Sequence, residues 1–110
     1  MTISLVTASI SAGQSLSAAV QITGAIVGIV MPAGWTAAPV SFMASFDGGV
    51  TLVKLMSDGN EVSMPLVAGA FNQIEADDIG ADFWVAVRSG TSGSPVPQAS
   101  TVSITLVVAT

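Results

Sequence analysis

Val40-Ser41-Phe42-Met43-Ala44-Ser45-Phe46-Asp47-Gly48-Gly49 is the stretch whose reading decides the fold. Val40, Phe42, Ala44 and Phe46 occupy every second position, with Ser41, Met43 and Ser45 between them. Consecutive side chains of an extended chain point to opposite faces, so this spacing describes a strand with one apolar face. Asp47-Gly48-Gly49 ends it. Glycine takes up the positive φ of a tight turn at little cost, and Asp-Gly between two apolar runs signals a hairpin. The expected return strand runs from Val50 to Met56.

Working toward the C-terminus, Ser57-Asp58-Gly59-Asn60 repeats the turn chemistry, and Glu61 to Met64 reads as a short strand stopped by Pro65. Val67 to Ile74 is ambiguous, and Glu75 to Gly80 fits a polar corner or one helical turn. Asp82 to Arg88 resumes as a strand, with Phe83, Val85 and Val87 opposite Trp84 and Ala86. Ser89 to Ser100 holds Gly90, Gly93, Pro95 and Pro97, too many breakers for regular structure. Thr101 to Val108 then places Val102, Ile104, Leu106 and Val108 on one face. Toward the N-terminus, Ala25 to Met31 is apolar on both faces, as expected of a strand covered on two sides, and it stops at Pro32. In the opening segment Ile3, Leu5 and Thr7 alternate with Thr2, Ser4 and Val6.

The pattern amounts to about seven or eight short strands at a spacing of ~8–12 residues, with no βαβ signature. It predicts an all-β fold: a single antiparallel β-sandwich over residues 1–110, of the jelly-roll or immunoglobulin-like kind. A chain of 110 residues buries about two-thirds of its unfolded surface, enough for a core without disulfides or metal.

Composition removes several function classes. With no His and no Cys there is no imidazole base, thiolate nucleophile or ordinary zinc site. Lys54 is the only titratable side-chain amine and sits in a strand with no matched serine motif, so enzymatic activity is not expected. Paired carboxylates for glycoside cleavage would need aromatic sugar platforms, and six Phe and Trp residues are mostly required by the core. The net charge of −5 repels phosphate backbones and anionic lipid, which argues against nucleic acid and membrane partners. Gly24 and Gly28 form a GxxxG pattern, but Gln21 and Pro32 close the apolar run too early for the ~20 residues of a spanning helix. The first positive charge is Lys54, so no secretory signal is expected.

The acidic group Glu75, Asp77, Asp78 and Asp82 offers hard oxygen ligands, yet its spacing fits no EF-hand loop; no metal and no cofactor is expected. Charged residues make up only 8% of the chain and mean hydropathy is +0.78, too few charges to cover an ordinary monomer's surface. Copies of the chain are therefore expected to bury part of that surface against one another. Met31, Trp35, Trp84, Pro95 and Pro97 are the candidate interface residues. Trp35 lies in Pro32-Ala33-Gly34-Trp35-Thr36, where a large amphipathic ring serves either as a core plug or as an interface anchor.

Val27 to Ala38 with its Met31-Pro32-Ala33-Gly34-Trp35, Ser45-Phe46-Asp47-Gly48-Gly49, Asp58 to Val62, and Arg88-Ser89-Gly90-Thr91 through Gln98 together resemble a group of small tailed-bacteriophage virion proteins. The likeness runs in order along much of the chain. It implies a virion structural component, and none of its motifs is catalytic. The return strand Thr51 to Met56 is more apolar than is usual in that group. The expected function is a capsid decoration, or cement, protein: a homo-oligomer made in the host cytoplasm that binds the major capsid protein on the phage head surface. The alternatives are a tail, neck or fibre accessory domain, or a carbohydrate- or surface-binding module using Trp35 and the acidic group.

Overall fold

The computed structural model describes residues 2–74 and 83–110, which form two large antiparallel sheets packed face to face and a small two-stranded one. Its strands are β1 (Ile3–Ile10), β2 (Val20–Ile22), β3 (Ala25–Val30), β4 (Val40–Ser45), β5 (Val53–Lys54), β6 (Met56–Ser57), β7 (Asn60–Glu61), β8 (Ser63–Met64), β9 (Phe71–Gln73), β10 (Phe83–Thr91), β11 (Ser94–Pro95) and β12 (Val102–Ala109). The first sheet has the order β1-β12-β3-β9. In the second, β10 pairs with β4 on one side and with β2 and β11 on the other, and β4 carries β5 and β8 along its far edge.

Period-two patterning decides what lies between the sheets. Val102, Ile104, Leu106 and Val108 of β12 all point inward, as their spacing predicts. Opposite them in register stand Ile10, Ala8 and Val6 of β1, with Ile29 and Ile26 of β3 on the other flank. The second sheet contributes Val40, Phe42 and Ala44 from β4 and Phe83, Val85 and Val87 from β10. Phe42 and Val87 are register partners, as are Ala44 and Val85. At ~25 cal/mol per Å² of apolar area removed from water, this shared interior is the main stabilising term of the fold.

Four local expectations are corrected. β4 ends at Ser45, and Phe46 stands 79% exposed beyond it, its ring stacked on that of Phe83 at 5.8 Å. The turn after β4 is wide, because the Asp47 side chain organises it: Oδ1 accepts from Ser45 Oγ at 2.7 Å and from the Thr51 amide at 2.9 Å. The return segment consequently has ladder partners in β4 only at Val53 and Lys54, with one further bond from the Leu55 amide to the Phe42 carbonyl at 3.1 Å. It then leaves the sheet edge as the β6-β7 hairpin, whose Asp58 and Gly59 have φ of 52° and 80°, both positive as a two-residue hairpin loop requires. Finally, β10 runs on through Ser89 and Gly90 to Thr91, and the chain reverses at Ser92-Gly93 to pair Ser94 and Pro95 with Thr91 and Gly90, where the sequence suggested irregular structure.

The glycines of the GxxxG pattern belong to a strand and its approach. Gly24 precedes β3 with φ 124°, and Gly28 lies within it. Between Val107 and Val108 the β12–β3 register shifts by one residue, leaving Val27 without a partner in β12. The extra residue lets Ile26 and Ile29, three positions apart on β3, both face the core opposite Val108 and Leu106.

Candidate interaction surface

The outward face of the first sheet carries apolar side chains in register. Leu5 of β1 stands beside Val107 of β12, which stands beside Gly28 of β3. In the next row Thr7, Thr105, Val30 and Phe71 follow one another across all four strands. A Cβ on Gly28 would overlap Cε1 and Cζ of Phe71, so the ring leans from its own row onto the glycine. Leu5, Val107 and the Phe71 ring thus make one apolar strip across the sheet. Leu5 is 68% exposed, Ile3 51% and Phe71 56%, values that place the strip at the surface. Alternation groups Ile3 and Leu5 on one side of the strand, but the sequence alone does not say whether that side meets the core or solvent.

The outer face of the second sheet is different, being largely covered by the domain's own polar network. Arg88 of β10 donates from its guanidinium to Glu61 of β7 at 3.0 Å and from Nε to Ser41 Oγ at 3.0 Å. The Ser41 hydroxyl in turn donates to the Gly90 carbonyl at 2.7 Å. Glu61 also accepts from the Ser92 amide at 3.2 Å, which ties the β6-β7 hairpin to the loop after β10. These bonds hold the hairpin down over β10 and leave Ser41 and Ala86 buried although they face outward.

The candidate residues from sequence do not form one patch. Met31 and Trp35 are buried in the core cluster, and Trp35 Nε1 donates to the Ala38 carbonyl at 3.2 Å. Trp35 borders an open apolar cavity of about 410 Å³, lined also by Ala37, Ala38, Pro39, Pro65 and Leu66. Trp84 is half-buried on the outer face of β10, in register between Gln21 and Ser45. Pro95 and Pro97 are exposed in the segment after β10, and Pro95 pairs with Gly90. Trp84 and Gly90 are six residues apart on one strand, so the tryptophan and the prolines are separated by about 20 Å at ~3.3 Å per residue. Glu75, Asp77, Asp78 and Asp82, the group weighed as a calcium site, lie outside the described residues.

Gln98 is a structural residue that sequence reading missed. It is buried, and its amide nitrogen donates to the Thr36 carbonyl at 3.1 Å and to Ser89 Oγ at 2.7 Å. Its Oε1 accepts from the Thr36 amide at 2.8 Å, and its backbone bonds to Gly13 and Gln14. One side chain therefore joins the Trp35 loop to β10, while its backbone holds the segment after β1. Comparison with protein-family models, with curated proteins and with solved structures found no match to this chain.

Proposed function

We propose that this protein is a non-catalytic virion component of a tailed bacteriophage, a capsid decoration protein that docks on the head surface and ties neighbouring major capsid subunits together. The observation that carries the assembly part of this reading is the Leu5, Val107 and Phe71 strip, with Leu5 and Phe71 exposed and Val107 half-buried between them, on a domain with only nine charged residues in its sequence. Apolar surface left in register on a rigid sheet favours a partner that covers it. The assignment to a phage head rests on the sequence resemblance. Clamping by many weak contacts at symmetry-related sites adds up through avidity, so each copy needs only a modest interface. A sandwich held by internal polar bonds suits that task because it presents its contacts without reorganising.

Cryo-microscopy of the source particle tests the reading. A decoration protein occurs at a copy number comparable to the capsid protein and sits on the outside of the lattice. A few copies at the tail, neck or fibre would replace the decoration role with an accessory one, and absence from the particle would overturn the virion assignment.

A further inference from the structure

The long strand at the edge of the first sheet carries an interaction site of its own. Thr2 and Thr110 exchange both backbone hydrogen bonds, at 3.3 and 2.9 Å. The β1–β12 register is then unbroken for all eight pairs from Ile3↔Ala109 to Ile10↔Val102. In an antiparallel ladder hydrogen-bonded pairs alternate, so Ser4, Val6, Ala8 and Ile10 turn their N–H and C=O toward β12. Ile3, Leu5, Thr7 and Ser9 turn theirs the other way, where no described backbone group pairs with them. Protein sheets usually block such an edge with a charge, a proline, a bulge or a short strand. β1 has none of these: it is eight residues long, and the bulge of this sheet lies between β12 and β3.

We infer that β1 is the self-association edge of the protein, pairing antiparallel with β1 of a second copy across a two-fold axis to make one continuous eight-stranded sheet. The proposal deepens the assembly reading above and rests on it. Three features single out a second copy as the occupant. The exposed row needs a partner strand offering donors and acceptors at the same two-residue repeat, and an antiparallel copy of the same row supplies them by symmetry. Residues 1–46 contain no ionisable side chain, so two copies of a chain of net charge −5 meet at this edge without placing like charges side by side. The side chains of the same residues, Ile3 and Leu5, lie exposed on the outer face, so pairing joins the apolar strip of one copy to that of the other across the seam.

Sedimentation at tens of micromolar compares the wild type with Leu5→Lys, which places a charge at the seam, and with Thr7→Pro, which removes an N–H that β12 does not use. Both are expected to stay folded by circular dichroism and to weaken the dimer by at least about tenfold, since these are the devices that block natural edges. Leu5 is a surface position, so Leu5→Lys decides the matter if Thr7→Pro fails to fold. Amide hydrogen exchange is the second readout: raising the concentration should protect Ile3, Leu5, Thr7 and Ser9, whereas Ser4, Val6 and Ala8 are protected already. A wild-type oligomer that both variants leave intact, with the four odd-numbered amides still exchanging, would overturn the β1 edge and leave assembly standing. A wild type that stays monomeric throughout the range would overturn self-assembly and the edge with it.

Discussion

The ring of Phe71 rests on Gly28, two residues on neighbouring strands whose contact exists only because one of them has no side chain. The glycine gives the aromatic ring a flat backbone to cover in the middle of an exposed sheet face. The ring in turn shields the backbone of β3, which is why Gly28 is buried on the outer side of its strand. The same contact extends the apolar strip from the β1 edge toward β9.

Gly24 and Gly28 should respond very differently to an added methyl group. At Gly28 the overlap is with the outer end of an exposed ring that can swing aside, the Asn72 carbonyl oxygen 3.2 Å away must give by only a few tenths of an ångström, and the backbone is ordinary strand. Gly28→Ala is expected to cost no more than about 1 kcal/mol. At Gly24 a Cβ would overlap the Ala109 carbonyl oxygen, and φ is 124°. Neither the backbone atom nor the dihedral yields cheaply, so Gly24→Ala should cost about 2 kcal/mol or more. Urea denaturation of the two variants checks the order.

Trp35→Ala tests whether the ring belongs to the core. It is only 8% exposed and its N–H is bonded to Ala38, so truncation loses buried area and leaves a carbonyl without its donor. Aromatic truncations of this kind cost ~3–5 kcal/mol. A value near the lower end is expected here, because one side of the ring already borders the open cavity and has fewer atoms to lose. A stability change under about 1 kcal/mol would show that the ring is not structural.

Gln98→Leu keeps the volume and removes every side-chain bond. Ser89 lies wholly buried and its hydroxyl loses the amide donor that reaches it, while the Thr36 amide and carbonyl, half-buried, are left to find water. Each stranded polar group costs ~1–3 kcal/mol, with the deeper site at the higher end. A total loss of about 2–4 kcal/mol in thermal or urea denaturation is expected.

Arg88 and Glu61 should be coupled. Their side chains are 12% and 17% exposed, so removing either one strands a poorly hydrated charge. Glu61→Ala is expected to cost about 1–3 kcal/mol, and Arg88→Met a similar amount. The double variant should cost clearly less than the sum, because neither charge is then left alone. Additive losses would show that the pair carries no coupling.

What the sequence made legible was whatever depended on neighbours along the chain. The alternation of β12 and the Asp58-Gly59 turn follow from two or three adjacent residues, and both stand in the structure as read. The inward face of β1 was not legible. Val6, Ala8 and Ile10 are scarcely more apolar than Ile3 and Leu5, and only the β12 register decides which set faces the core. Gln98 and the Arg88–Glu61 pair were hidden for a related reason. Their partners lie 62 and 27 residues away, and no local pattern announces a bond that tertiary folding creates. The Val50 to Met56 strand failed differently, because the Asp47 side chain competed with the ladder for the backbone of the turn.

Asp47 makes stability depend on acid in a way that identifies the residue. The Thr51 amide, then the Ser45 hydroxyl and then the Thr51 hydroxyl, all donating to its carboxylate, lower its pKa from 3.8 to about 2. The folded state therefore favours the ionised form. Its contribution is fully present above the unfolded value of 3.8 and is lost as pH falls through about 2. In Asp47→Asn the amide oxygen still accepts from Thr51, but no charge strengthens the bonds and nothing titrates there. The variant should melt below the wild type at neutral pH. The gap should narrow between pH 3.8 and about 2, because over that window only the wild type loses the Asp47 carboxylate. The other carboxylates titrate in both proteins and cancel in the difference. The effect should also shrink with added salt, since the group is exposed to solvent. Melting temperatures of the pair across that range are the measurement, and a gap that stays constant down to pH 2 would show that Asp47 closes the turn by shape alone.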